Sequence, residues 1–319
     1  MALAFVFPGQ GSQAVGMGRD LADAFASARH VFQEVDDALS QKLSKLMWEG
    51  PQEELTLTAN AQPALMAHSL AVVRALEAEG GFTLGGRVAL VAGHSLGEYS
   101  ALTAAGAFDV ATAARLLRLR GEAMQKATPP GTGAMAALLG AEIDLAQEIC
   151  AAAATNPETG KKAVVEAAND NGGGQVVISG AKAAVERAIE IAKEKGVKRA
   201  MLLPVSAPFH CALMAPAADA MAEALGKASM KAPVVPVVAN VTAAKASDPA
   251  EIRDLLVRQV TGTVRWRECV AAMAAMGCDK FVEVGAGKVL SGLMKRNAPE
   301  ATALSIGNPA ELEAFLKSL

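Results

Sequence analysis

The stretch Val88 to Ser100, VALVAGHSLGEYS, constrains the fold of this chain more than any other. A β-branched, apolar run reaches Gly93-His94-Ser95-Leu96-Gly97 and gives way at once to helix-forming residues. Strand, sharp turn and helix in that order make a nucleophile elbow, which holds its serine clear of the sheet in a strained backbone conformation. Flanking glycines let neighbouring backbone approach where a Cβ would clash. The alternative is a tight buried turn whose hydroxyl caps the following helix.

The sequence on either side predicts a sheet for such an elbow. Leu3 to Phe7 reads as a buried strand running into the loop Pro8 to Gln13, and a helical stretch follows over about 19–39. Ala61 to Glu79 reads as a mostly buried helix with Pro63 in its first turn. Helices over 96–105 and 110–126 end before Thr128-Pro129-Pro130-Gly131, a strong stop. Beyond it come a strand (134–139), a helix (143–154), two strands (163–168 and 175–179) joined by the turn-rich Asn169 to Gly174, a helix (181–195) and a strand (199–204). That β-α-β-β-α-β order predicts a small ferredoxin-like domain inserted into a larger α/β domain. The expected division is 1–131 and 203–319 for the large domain and 132–202 for the insertion, with hinges beside functional loops and the substrate cleft between the two. After the insertion, strands over 234–239, 281–284 and 302–306 alternate with helices, so the large sheet is expected to be mainly parallel and covered on both faces.

Composition narrows the function. The chain has 319 residues, 52% of them hydrophobic, yet only two Trp and one Tyr, so its core is built from Ala, Val, Leu and Met. A formal charge of -3 with interspersed signs gives no nucleic-acid footprint. Four cysteines, at 150, 211, 269 and 278, form neither a CxxC pair nor a disulfide ladder, which points to a reducing, cytoplasmic compartment. The N-terminus lacks the basic region of a signal peptide, and no apolar run reaches the length of a membrane span.

A serine needs a base, and there are four histidines. His30 and His68 fall within helical patterns, and His94 adjoins the nucleophile on the elbow, with its side chain expected to point away. His210 follows Pro208-Phe209 in a loop after the last strand of the insertion and is the candidate base. No acid is obviously placed to orient it, so a Ser95–His210 dyad with the imidazole held by a neutral carbonyl fits better than a full triad. On the helix 110–126, positions 113, 116, 117, 120 and 124 share one face, reading Ala, Leu, Leu, Arg, Met. A guanidinium on that apolar stripe needs a partner: a structural acid, or a substrate carboxylate that its planar fork can bind.

Gly9-Gln10-Gly11-Ser12-Gln13-Ala14 imitates a dinucleotide fingerprint, but the acidic residue expected about 20 positions later is missing. Its amides suit an oxyanion site better. Gly285-Ala286-Gly287-Lys288 has the wrong spacing for a phosphate loop, and no Cys/His cluster has metal-ligand spacing. Cys211 beside His210 raises thiol catalysis, which adjacent, diverging side chains argue against.

Taken together, the motifs resemble the malonyl-CoA:acyl carrier protein transacylase family of type II fatty acid synthesis. The matching landmarks run almost the length of the chain: Phe7 to Gln13, Gln62-Pro63-Ala64, Gly93 to Tyr99, Arg120-Gly121 with Met124, Gly133-Ala134-Met135, Gly174 to Gly180, Pro204-Val205-Ser206-Ala207-Pro208-Phe209-His210, Asn240-Val241, Val257-Arg258-Gln259 and Glu283-Val284-Gly285. The resemblance implies a hydrolase-like large domain with the ferredoxin-like insertion, and ping-pong transfer of malonyl from malonyl-CoA to the phosphopantetheine thiol of acyl carrier protein. It assigns Ser95 as nucleophile, His210 as base, the Gln10 and Leu96 amides as oxyanion hole, Arg120 and Met124 as substrate contacts, and the Gln259 carbonyl as the group orienting His210. A carbonyl role implies that Gln259→Ala keeps clear activity. No cofactor or metal is implied, and a monomer without membrane or nucleic-acid partners is expected. Ala286 stands where relatives often have proline. Phe209 before His210 matches malonyl-selective relatives. The residues themselves leave open whether water or a thiol resolves the acyl-enzyme, so a thioester hydrolase remains the rival reading.

Overall fold

The computed structural model describes residues 2–205 and 207–319; Met1 and Ser206, the latter within the Pro204 to His210 landmark, lie outside the described residues. In chain order the strands are β1 (Ala2–Phe7), β2 (Leu90–Gly93), β3 (Gly133–Leu139), β4 (Val165–Gly172), β5 (Gln175–Ala181), β6 (Arg199–Leu202), β7 (Val237–Val238), β8 (Lys245–Ala246), β9 (Cys278–Val284) and β10 (Thr302–Ile306). They form two sheets. The larger has the order β10-β9-β1-β2-β7-β8 and is parallel except for the β7–β8 pair. The smaller has the order β4-β5-β3-β6, is antiparallel throughout, and carries the helices Ile143–Ala153 and Lys182–Glu194, which give the ferredoxin-like arrangement. Their cores are separate: Ile149, Ile178, Val185 and Ile189 pack in the small unit, whereas Phe5, Phe7, Leu65, Leu70 and Val91 belong to the large one.

The helix Thr58–Gly80 is buried on almost every side, as its near-continuous apolar run requires. It begins earlier than the sequence predicts, because the Leu57 carbonyl accepts from Asn60 and Ala61 N–H at 2.8 Å each, and Pro63 therefore lies beyond the first turn. The helical stretch 19–39 is two helices, Arg19–Ala24 and Ala26–Leu39, broken where Phe25 takes an extended backbone and packs against the core. The strand expected over 234–239 shrinks to β7: Val234 is 65% exposed and Pro236 has no N–H to donate, although its carbonyl still accepts from Val91.

The most consequential correction concerns Asn169-Asp170-Asn171-Gly172. These residues are not a turn but the buried end of β4, and only Gly173-Gly174 turns. Polar residues can be buried there because the large domain satisfies them. Val264 N–H donates to the Ala168 carbonyl and Asp170 N–H to the Val264 carbonyl, both at 2.9 Å. Arg267 pairs with Asp170 at 2.9 Å, and Asn297 Nδ2 donates to the Asn171 carbonyl at 2.9 Å. The small unit is thus tied to the large one along β4 and not only through its two chain connections.

Candidate active site

The elbow forms as its sequence demands. Ser95 has φ +53°, in the left-handed region that L-residues occupy only under constraint. A Cβ on Gly93 would sit 1.9 Å from the Gly97 carbonyl carbon, so the glycine pair sets how tightly the turn closes. Asn240 clamps it from across the sheet: its Oδ1 accepts from Ser95 N–H at 2.8 Å and its Nδ2 donates to the Gly93 carbonyl at 2.7 Å.

His210 also has a positive φ, +57°, and brings its ring against the elbow. Nδ1 lies 2.9 Å from the Gln259 carbonyl, which can only accept, so Nδ1 carries the proton and Nε2 is left to accept from the Ser95 hydroxyl at 2.7 Å. Burial, then the nearby Arg120 charge, pushes the His210 pKa down to about 3, and the bond to Gln259 only partly offsets this. The imidazole is therefore neutral and able to take a proton. His94 points elsewhere, its Nε2 lying 2.9 Å from Asn171 Oδ1 and its ring beside Trp266.

Arg120 is 1% exposed and has no carboxylate partner within ion-pair distance among the described residues. Gly121 brings its helix, Val110–Lys126, against the start of Thr58–Gly80; a Cβ there would meet the Thr58 carbonyl at 2.6 Å. That approach lets Arg120 Nη1 donate to Gln62 Oε1 at 2.8 Å. Nη2 donates to Gln259 Oε1 at 2.9 Å and to Ser95 Oγ at 3.1 Å, while Nε has no partner among the described residues. The direct hydrogen-bond partners of this cation are all neutral, an arrangement that can receive an anion beside the Ser95 hydroxyl.

Ser95, His210, Arg120 and Gln62 line a cavity of about 390 Å³ between the two units. Gln10, Leu96 and Met124 face it from the large domain, and Met135, Asn169, Gln175 and Val177 from the insertion. The Gln10 and Leu96 amides have no partner among the described residues, so both N–H groups are available to an oxyanion. Met124 is buried, and its sulfur accepts weakly from Gln62 Nε2 at 3.7 Å. Cys211 is buried outside the cavity, with its thiol bonded to the Pro208 carbonyl at 3.2 Å and its pKa raised by burial.

The match to known proteins spans the chain. The family model described as "Acyl transferase domain" covers residues 4–308. A malonyl CoA-acyl carrier protein transacylase of Escherichia coli K12 is 47% identical over 314 residues, 98% of each chain, and one from Bacillus subtilis is 44% identical over 317 residues, 99% of this chain and 97% of its own. This chain belongs to the malonyl-CoA:acyl carrier protein transacylase family. Among solved members, an acyl-carrier-protein S-malonyltransferase from Bartonella henselae superposes with a TM-score of 0.95 at 55% identity, covering 100% of this chain and 99% of the other. A malonyl-transacylase in complex with a type II polyketide acyl-carrier protein gives 0.94 at 43% identity over the whole of both chains.

Three polar groups in this transacylase fold escape the sequence reading as site residues. Glu98 is 1% exposed, its pKa raised to about 7 by burial against the bonds from Asn240 and Gln259 and the nearby Arg120 charge. Asn240 and Gln62 appear in the sequence only as landmarks. Gln259 also does more than the carbonyl role assigned to it, because its side chain bridges Arg120, Glu98 and the Ser95 carbonyl. The one local signal is an acid in the first turn after a buried elbow.

Proposed function

We propose that this chain transfers malonyl from malonyl-CoA to the phosphopantetheine thiol of acyl carrier protein in two half-reactions through an ester on Ser95. The Ser95 oxygen attacks the thioester carbonyl while His210 Nε2 takes its proton; the C–O bond forms, the C–S bond breaks, and the imidazolium returns the proton to the departing CoA sulfur. The carrier thiol then attacks the ester by the reverse sequence. The Gln10 and Leu96 amides stabilise the tetrahedral oxyanion, and the Gln259 carbonyl steadies the imidazolium. Arg120 holds the malonyl carboxylate, with Met124 packing beside it. No cofactor takes part, because the serine, imidazole and amides supply the whole chemistry and CoA leaves as product. The division at 132 and 202 places the acyl group between large domain and insertion, and the enzyme works as a cytoplasmic monomer. Among the described residues no helix is long and apolar enough to cross a membrane.

The observation that carries this reading is the buried, carboxylate-free Arg120 guanidinium 3.1 Å from the nucleophile. Intact mass after adding malonyl-CoA tests it: wild type gains one malonyl group and Ser95→Ala none, and adding carrier protein moves the label to the carrier thiol. Release of free malonate in place of transfer identifies a hydrolase and overturns the proposal.

A further inference from the structure

Glu98 lies three residues after the nucleophile, and the reaction above leaves it without a task. Its Oε2 accepts from Asn240 N–H at 3.0 Å and from Gln259 Nε2 at 2.9 Å. The Gln259 amide consequently meets opposite demands at its two ends. Its nitrogen faces Glu98, the Ser95 carbonyl at 3.0 Å and Asn240 Oδ1 at 3.2 Å, and its oxygen accepts from Arg120 Nη2 at 2.9 Å. Turning the amide over would set its oxygen against acceptors and its nitrogen against a guanidinium that can only donate. Asn240, the other side chain facing that nitrogen, is itself held by Glu98 through its main-chain N–H. The carboxylate therefore fixes the amide directly and through its neighbour.

We propose that Glu98 is a positioning residue: through the Gln259 amide it sets the direction of the Arg120 guanidinium and thereby supports the preference for a carboxylated acyl group. The inference rests on the reading of Arg120 as the carboxylate partner. Glu98 itself does not touch substrate and lies outside the cavity lining. Its second anchor acts in the same direction, since Asn240 also fixes Ser95 N–H and so links the orientation of Arg120 to the shape of the elbow. Both contacts fall on one oxygen, so a glutamine at position 98 can present the same acceptor. Charge and acceptor can thus be separated by substitution.

The test measures kcat/KM for malonyl-CoA and acetyl-CoA on wild type, Glu98→Ala, Glu98→Gln, Arg120→Ala and the Glu98→Ala/Arg120→Ala double variant, with the melting temperature of each. Glu98→Ala should lower the malonyl-to-acetyl ratio about tenfold or more, the scale of one charge-assisted hydrogen bond. Glu98→Gln should restore most of that ratio. In the double variant the ratio should fall no further than in Arg120→Ala alone, because the effect acts through Arg120. If Glu98→Ala does not fold, Glu98→Asp, which withdraws the acceptor by one methylene, should lower the ratio in its place. Equal loss on both substrates overturns the inference, as does a further drop of the same size in the Arg120→Ala background. A ratio that collapses in Arg120→Ala but not in the Glu98 variants removes the Glu98 role alone. A ratio untouched by Arg120→Ala removes the carboxylate reading and the Glu98 inference with it.

Discussion

On the Ser95 side of the cleft, every polar group of Ser95 has a side-chain partner distant in sequence: Asn240 on its N–H, His210 and Arg120 on its hydroxyl, and Gln259 on its carbonyl, which also accepts from the Glu98 N–H of the same turn. The opposite wall, from residues 133–202, presents Met135 and Val177 with the amides of Asn169 and Gln175, and it is fixed along one edge. Thr263, Val264, Arg267 and Asn297 grip β4, while Met201 and Leu202 at the far edge, β6, are exposed. The contrast separates two tasks. On the proposed reading, reaction and acyl selection belong to the cross-linked polar cluster of the large domain, whereas the insertion supplies a wall held along β4 and at its two chain connections.

The largest effect expected from this contrast is on the base. His210→Ala should lower kcat by roughly 10²- to 10⁴-fold, the usual contribution of a general acid-base group, with the fold intact by circular dichroism. Near-normal turnover would return His210 to a packing role. Next comes Gln259, for which the structure replaces the mild outcome expected from a carbonyl alone. Gln259→Ala leaves Arg120 Nη2 without one of its acceptors and the buried Glu98 without one of its donors, so kcat/KM for malonyl-CoA should fall about 10- to 100-fold. Activity close to wild type would confine the role of Gln259 to its backbone.

On the other wall, Arg267→Ala leaves Asp170 buried without its ion pair. Thermal unfolding should show a loss of about 1–3 kcal/mol, while the malonyl-to-acetyl ratio holds. A changed ratio with unchanged stability would show that the insertion takes part in acyl selection and would dissolve the division of tasks.

The smallest effect is in the pH profile. His210 is held neutral mainly by burial and secondly by Arg120, with His94 acting in the same direction. Protonation removes the base, so the His210 limb of kcat/KM, measured with acetyl-CoA on Glu98→Gln to take the Glu98 titration near 7 out of the profile, should appear as pH drops toward about 3, well below the ordinary histidine value of 6.5. In the same background, Arg120→Ala should move that limb upward, since one cause of the depression is gone. A Glu98→Gln limb at the ordinary value would contradict the burial argument.

Much of this site can be read from sequence where the signal is local. The elbow follows from a strand meeting Gly93 to Gly97, and Arg120 stands out because it interrupts an apolar helix face. Both depend on spacing within a few residues. The parts that sequence hides depend on partners far away: Glu98 meets Asn240 142 residues along the chain, and its place in the first turn after the elbow does not by itself reveal those partners. The run Asn169 to Gly172 misleads for the same reason. Its composition favours a turn, and only contacts with Val264, Arg267 and Asn297 make a buried strand end affordable. Local chemistry announces itself, whereas the network that orients it is a property of the fold.

On the proposed reading, Arg120 selects the substrate by pairing with its carboxylate. The direct measurement is kcat/KM for malonyl-CoA and acetyl-CoA on one folded preparation of Arg120→Ala. Loss of a desolvated pair costs about 2 to 5 kcal/mol, roughly 30-fold to several thousand-fold in kcat/KM, and acetyl-CoA has no carboxylate to lose. Malonyl transfer should fall by that factor while acetyl transfer is unchanged or rises. Equal loss on both substrates would contradict it, leaving Arg120 as a support for the fold or for the CoA moiety.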